Sequence, residues 1–162
     1  EGPYLDAMRS MQQLTGQVVV LVKRSGMYAQ YIHIVRGERH NPPPLGTSHM
    51  RPLVTSGGGH ALMSVMPEDE VALIVKRSNA ENLTGDAPVK IETLLATLAE
   101  VRRRGYALTY AFAQVHCGLM IAPFPQGCDA LALGIYGDRD QLETNRAAWS
   151  AVLKSTIERL AT

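Results

Sequence analysis

A run of five apolar residues, Val18-Val19-Val20-Leu21-Val22, limits the folds open to this chain. The run consists mainly of β-branched side chains and predicts a buried strand over residues 17–23. Arg24-Ser25-Gly26 predicts a turn, and the segment from Met27 to Val35, with its Tyr and Ile residues, predicts a second strand. The two strands together predict a β-hairpin near the start of the chain.

The remaining strand-like segments are clustered along the chain and do not alternate with helices. Apolar residues recur at helical spacing near both ends and in the middle, whereas three strand-like runs follow one another after Gly105. Clustered strands favour an antiparallel α+β sheet over a nucleotide-binding array of alternating strands and helices. The predicted helices cover 4–14, 61–66, 68–76, 91–104 and 138–160, the later strands cover 106–113, 118–124 and 130–136, and a polar, proline-containing loop covers 36–52.

Length and composition predict one ordinary globular domain. The chain has 162 residues, 46% of them hydrophobic and 19% charged, so it can bury a core without disulfide bonds. Its net charge is +1, whereas a module that binds nucleic acid by itself usually carries a clear basic excess. No apolar run approaches the roughly 20 residues of a membrane span, and nothing at the start resembles a signal peptide. We therefore expect a cytoplasmic protein without a membrane partner.

Four stretches, in this order along the chain, resemble the effector-binding domain of the IclR family of bacterial transcription regulators. The first leads through three glycines into a helix, the second closes a helix on Arg-x-x-Gly-Tyr, the third ends a strand on Ile-Ala-x-Pro, and the fourth is a strand followed by Gly and Arg. The resemblance covers nearly the whole chain. The stretches are Leu53 to Ser64, Leu94 to Ala107, Met120 to Pro123 and Leu131 to Arg139.

The resemblance implies a GAF/PAS-like antiparallel sheet of about five to six strands flanked by helices. It also implies that residues 1–16 are the end of a linker helix from a winged helix-turn-helix domain, and that residues 17–162 are the effector-binding domain. The chain opens at Glu1 without an initiator methionine and is already helical in pattern by Tyr4, which suggests a piece of a longer protein, although processing would look the same. The implied partners are a small-molecule effector, further copies in a homodimer or tetramer, and DNA only through that other domain.

The resemblance also implies a ligand cup beneath the glycine turn. A glycine run at a helix start leaves N–H groups bare, allows close approach of a ligand and favours an anion such as a carboxylate. Relatives that bind small oxo-acids offer more polar side chains at the later positions, so this chain predicts a more apolar or larger ligand, with an aromatic or aliphatic acid as the first choice. The implied ligand-binding residues are Ser56, Gly57, Gly58, Thr109, Leu119, Gly134 and Tyr136.

Interpretations of these residues that need no ligand stay open. The three glycines can be a tight connector, and the cup can be filled by its own side chains and bind nothing tightly. His60, directly after the glycines, can pair with a ligand carboxylate or merely cap the turn.

No motif in the sequence indicates catalysis, a metal or a cofactor. The two cysteines, Cys117 and Cys128, are too few for a zinc site by themselves. They can be two small buried residues or form a hairpin bridge. A thiol-dependent reductase that uses them, or a purely structural assembly domain, are the alternatives to a ligand sensor.

Overall fold

A computed structural model describes residues 2–37, 49–110, 116–125, 127 and 130–162. In these ranges the elements are α1 (Pro3–Thr15), β1 (Val18–Ser25), β2 (Tyr28–Val35), β3 (Met50–Pro52), α2 (Gly57–Met63), α3 (Glu68–Ala80), α4 (Ile91–Arg104), β4 (Ala107–Thr109), β5 (Cys117–Pro123), β6 (Leu131–Asp138), α5 (Arg139–Thr144) and α6 (Arg146–Ala161). The strands form one antiparallel sheet in the order β3-β2-β1-β6-β5-β4. The predicted α+β fold is confirmed.

The central position of β1 explains its continuous apolar run. β1 pairs with β2 on one side and with β6 on the other, and Val18 to Val22 are all buried. Successive side chains of a strand point to opposite faces of the sheet, so a strand covered on both faces needs apolar residues at every position. β1 therefore contributes to two separate cores.

The two cores lie on opposite faces of the sheet. On the first face, Val18, Val20 and Val22 pack with buried residues of α2, α3 and α4. On the second face, Val19 and Leu21 pack with α1, α5 and α6. We call these the α2 face and the α6 face.

The helices α1 and α4 end at glycines, as the sequence predicts. Gly16 follows α1 with φ 70°, and its N–H donates to the carbonyl of Gln12. Gly105 follows α4 with φ 92°, and its N–H donates to the carbonyl of Val101. Both glycines adopt the left-handed conformation that side chains disfavour, which is the usual way to satisfy the last carbonyls of a helix.

The structure corrects the predicted start of the second helix. α2 begins at Gly57, four residues before the predicted Ala61, and it ends at Met63. The Ser56 hydroxyl accepts a hydrogen bond from the N–H of Gly59 at 3.0 Å and thereby caps the helix. Cap and tertiary packing outweigh the low helix propensity of three glycines.

Other boundaries also differ from the prediction. Residues 50–52, predicted as loop, form the edge strand β3, where a proline is tolerated. β4 is only three residues long, and the predicted continuation over 111–113 lies outside the described residues, as does most of the predicted loop. The predicted closing helix is two helices, α5 and α6, separated at Asn145, whose backbone N–H and side-chain amide both donate to the Gln141 carbonyl, at 3.0 Å and 2.9 Å.

Candidate ligand-binding site

A small cavity of about 110 Å³ lies where the first turn of α2 meets the two edges of the sheet. β3 and β4 are opposite edge strands, yet residues of both contribute to its walls. The sheet therefore curls around the start of α2. The lining residues are Tyr31, Arg51, Pro52, Thr55, Ser56, Gly57 and Thr109.

The serine before α2 fixes the wall formed by the turn. The Ser56 hydroxyl donates to the Pro52 carbonyl at 2.8 Å and accepts from the Gly59 N–H at 3.0 Å. These two bonds tie β3 to the first turn of α2. α2 is only seven residues long, so the field of its backbone dipoles is weaker than that of a long helix.

The missing side chain of Gly57 creates the close approach between α2 and β4. A Cβ atom placed on Gly57 would lie 3.0 Å from Thr109 Oγ1 and 3.5 Å from Leu119 Cδ2. Such a contact with Thr109 is tighter than nine in ten real Cβ contacts, so Thr109 would have to shift by a few tenths of an ångström. Gly57 is therefore required for the present width of the space beside Thr109.

Gly58, the next residue, faces the sheet and not the cavity. A Cβ atom there would lie 3.3 Å from Val22 Cγ1 and 3.6 Å from the Cβ of Ala29. Gly58 is absent from the cavity wall. Its backbone is what brings α2 close to β1 and β2.

Three further predicted residues lie inside the sheet, in the strands next to β4. They are Leu119 in β5 and Gly134 and Tyr136 in β6. Leu119 and Tyr136 are opposite one another in the β5–β6 pairing, and each is 1% exposed. Gly134 faces Ile121, since a Cβ there would lie 2.9 Å from the Ile121 Cβ. The structure therefore brings Ser56, Gly57 and Thr109 together, with Leu119 next to them. Gly58, Gly134 and Tyr136 do not line the cavity.

Sequence reasoning missed four of the lining residues, namely Tyr31, Arg51, Pro52 and Thr55. Of these, Tyr31 and Arg51 make the cavity more polar than the apolar lining predicted for the cup. A signal existed for each: Tyr31 lies in the predicted second strand, and Arg51 directly precedes the proline that leads into the glycine turn. Neither signal shows that the residue faces the same space as Thr109, because that depends on how the sheet curls.

Among the described residues around the cavity, the charged Arg51 lies beside the neutral side chains of Tyr31 and His49. Burial raises the pKa of Tyr31 to about 12, against the opposing effect of Arg51, so its hydroxyl is a neutral donor at pH 7. Burial, and then the charge of Arg51, lowers the pKa of His49. The Nε of Arg51 donates to Nε2 of His49 at 3.2 Å, and the His49 ring meets the Tyr31 ring edge-on at 5.3 Å.

His60 has a structural partner. Its Nε2 lies 3.0 Å from the Val54 carbonyl, to which the neutral ring donates a proton. Burial lowers the pKa of His60, although the hydrogen bond to Val54 acts in the opposite direction. His60 is not among the residues that line the cavity, so the geometry favours the capping role over direct contact with a ligand.

The cysteine alternative is not tested. Cys117 is buried at the start of β5, and Cys128 lies outside the described residues. Within the part of the chain that the structure covers, no group of three or more His, Cys, Asp or Glu side chains is placed to hold a metal ion. None of the helices found there has the length and apolar character needed to cross a membrane.

Solved structures with the same fold are regulator domains. The effector domain of the putative transcriptional regulator IclR from Acinetobacter sp. ADP1 is 24% identical, with a TM-score of 0.81 over 98% of this chain and 93% of that one. The C-terminal domain of the E. coli regulator KdgR is 20% identical, with a TM-score of 0.79 over 98% of this chain and 94% of that one. No curated protein has a sequence that matches this one.

A longer relative shows how much of a regulator such a domain represents. This chain spans 60% of an IclR family transcriptional regulator from Brucella abortus, to which it is 19% identical with a TM-score of 0.79 over 97% of its own length. The family model described as "Bacterial transcriptional regulator IclR C-terminal" matches residues 4–117, which is more than half of the chain. The chain therefore belongs to the IclR C-terminal family of bacterial transcriptional regulators.

Proposed function

We propose that this domain is the sensor of a transcription regulator, that it binds a small organic acid in the cavity at the start of α2, and that binding changes how the regulator engages DNA. The family is one of regulators and not of enzymes, and we assign the domain no catalysis, metal or cofactor. DNA would be bound by a winged helix-turn-helix domain, with residues 1–16 as the end of the connecting helix. The site of action would be the cytoplasm.

One observation carries the proposal: the cavity joins three residues that the family resemblance selects, Ser56, Gly57 and Thr109. They come from segments more than fifty residues apart in the sequence. Small-molecule sites are concave and carry a few convergent polar groups that fix the orientation of the ligand, and this cavity supplies such groups.

The position of the cavity suggests how a ligand acts on the domain. Its walls come from β2 and β3 at one edge of the sheet and from β4 at the other. A ligand that contacts both edges would stabilise the arrangement in which they lie at this distance. Only a difference in ligand affinity between two arrangements is needed to shift their populations, and the DNA-binding domains would respond to that shift.

We also propose that the domain assembles as a homodimer or tetramer. Leu14 on α1 and Leu73 on α3 are 66% and 68% exposed, which supplies apolar surface for contacts between copies. Sedimentation equilibrium measures the assembly directly, and a monomer at all concentrations would contradict it.

The ligand-binding proposal is tested by a thermal-shift screen of this chain against aliphatic and aromatic carboxylic acids. An acid that binds only the folded state stabilises it by about 2.7 kcal/mol at a hundred times its dissociation constant. Gly57→Ala should weaken that acid at least tenfold, because the new methyl group enters the space beside Thr109.

Gly58→Ala is the matched control, since it makes the same change one residue later but places the methyl group against Val22 and Ala29. It should bind the acid as the wild type does. A screen in which no acid raises the melting temperature would contradict the sensor role and favour an assembly role. An acid that binds Gly57→Ala normally would show that the cavity is not the site.

A further inference from the structure

Arg51 lines the cavity as a cation whose charge is not neutralised within the described part of the chain. The ion pairs found there use other arginines, namely Arg9, Arg24, Arg77, Arg103 and Arg146. The side-chain partner of Arg51 is His49, which accepts from its Nε. A guanidinium has five N–H donors, so this one bond leaves most of them for another acceptor.

The groups around Arg51 are donors or neutral. Tyr31 is 2% exposed, and its hydroxyl is protonated at pH 7 as that of an ordinary tyrosine is, since burial only raises its pKa further, to about 12. Thr109 adds a hydroxyl from the opposite edge strand, and Ser56 adds one whose proton is already committed to Pro52. Among the described residues that line the cavity, none carries a carboxylate. A positive charge beside neutral donors matches the requirements of a bound anion.

The size of the cavity limits what the anion can be. At about 110 Å³ it is well below the roughly 300–1,000 Å³ of pockets that enclose drug-sized ligands. Two observations point to the same ligand class. The exposed guanidinium of Arg51 has no carboxylate partner among the described residues and can recognise one carboxylate, and the small volume favours a short chain behind that carboxylate over an aromatic ring.

We propose that Arg51 is the specificity-determining residue of the site, binding the carboxylate of a short aliphatic monocarboxylic acid with help from the Tyr31 hydroxyl. This rests on the proposed sensor function and narrows it. A planar guanidinium can hold a carboxylate through two parallel hydrogen bonds, whereas a lysine offers only a point charge. The site should therefore distinguish an acid from its neutral amide.

The test is calorimetric titration of this chain with formate, acetate, propionate and butyrate, and with propionamide and benzoate for comparison. Variants are Arg51→Gln, Arg51→Lys and Tyr31→Phe. Arg77→Gln is the matched control, because it removes the same charge from an exposed arginine on α3 that pairs with Glu81 at 2.7 Å. Gly57→Ala reports separately on whether the cavity is used at all.

We expect at least one short acid to bind the wild type, with propionamide and benzoate bound at least tenfold more weakly. Arg51→Gln should lose at least tenfold in affinity, Arg51→Lys should fall between it and the wild type, Tyr31→Phe should lose a smaller factor, and Arg77→Gln should match the wild type. Equal binding of propionate and propionamide, or full affinity in Arg51→Gln, would overturn the role of Arg51.

The titration separates the short-acid inference from the sensor function on which it rests. If short acids do not bind but benzoate or a longer acid does, and Gly57→Ala abolishes that binding, the sensor function stands and the short-acid inference is wrong. If no acid of any kind binds, both are wrong.

Discussion

The α2 face and the α6 face of the same sheet are covered in different ways. On the α2 face, glycine backbone lies against strand side chains, and a polar cavity is left at the start of α2. On the α6 face, large side chains such as Trp149 and Leu153 fill the contact, and the Tyr4 and Phe124 rings stack at 5.8 Å. The α6 face also carries a hollow, of about 620 Å³ beside Tyr4, Leu21 and Ile32, but none of the residues that the family pattern selects lines it, whereas three of them line the cavity on the α2 face. Substitutions on the two faces should therefore differ in what they change.

The largest expected effect is that of Gly59→Ala on the α2 face. A Cβ atom at Gly59 would overlap the backbone carbonyl of Leu53, which cannot move aside as a flexible side chain does. We expect a loss of more than about 4 kcal/mol in the free energy of unfolding, which is in the range reserved for severe steric or packing faults. Urea denaturation followed by circular dichroism measures it.

Gly58→Ala is again the matched control. Its new methyl group would meet only side chains, the nearest being Val22 Cγ1 at 3.3 Å, and a shift of a few tenths of an ångström in that flexible side chain accommodates it. If Gly59→Ala were no less stable than Gly58→Ala, the close backbone contact between α2 and Leu53 would not exist as described.

The next effect is on the α6 face, where Leu153→Ala should affect stability alone. Leu153 is fully buried, and removal of a buried leucine side chain costs about 2–5 kcal/mol through lost burial and the cavity left behind. The folded fraction should still bind an effector acid with wild-type affinity. Denaturation and titration of the same preparation check both parts.

Lys154→Ala serves as the reference for that measurement, because Lys154 is exposed on the same helix and its truncation should change stability by less than about 0.5 kcal/mol. A weaker affinity in Leu153→Ala would show that the two faces are coupled and that the α6 face takes part in sensing.

The features that could be predicted from the sequence are those that local signals determine. Strand periodicity, the run of Val18 to Val22, and the helix-ending glycines Gly16 and Gly105 are local signals, and the elements they predict are present. The start of α2 was predicted too late because glycine propensity argues against a helix there. The break at Asn145 was missed because no glycine or proline marks it in the sequence.

The candidate site was predictable only in part, for a physical reason. Ser56, Gly57 and Thr109 stand out through their resemblance to the family pattern, and the cavity includes them. Arg51 and Tyr31 carry no such pattern. They share a cavity with Thr109 only because the curl of the sheet brings β3 and β4 together, and this contact between opposite edges is not encoded in any local spacing.

The smallest effect that separates the faces is the pH dependence contributed by His60, next to the glycines of α2. Burial holds the pKa of its imidazole below the ordinary value of 6.5 in the folded state. Between pH 6.5 and that lower folded pKa, the unfolded chain binds more protons than the folded one, so the free energy of unfolding falls as the pH falls. The contribution of His60 is complete above pH 6.5 and is lost through this window.

The measurement is urea denaturation at pH 7.5, 6.5 and 5.5 for the wild type and His60→Gln. One group contributes at most about 1.4 kcal/mol per pH unit, so the decrease between pH 6.5 and 5.5 should not exceed that from His60 itself. His60→Gln should flatten the profile because glutamine keeps a donor for the Val54 carbonyl but does not titrate. His49→Gln should remove a smaller part, since His49 is less buried and its pKa is lowered as well. An unchanged slope in His60→Gln would mean that this histidine is as easily protonated in the folded protein as in the unfolded chain, and that the start of α2 is more open to water than the packing of its glycines implies.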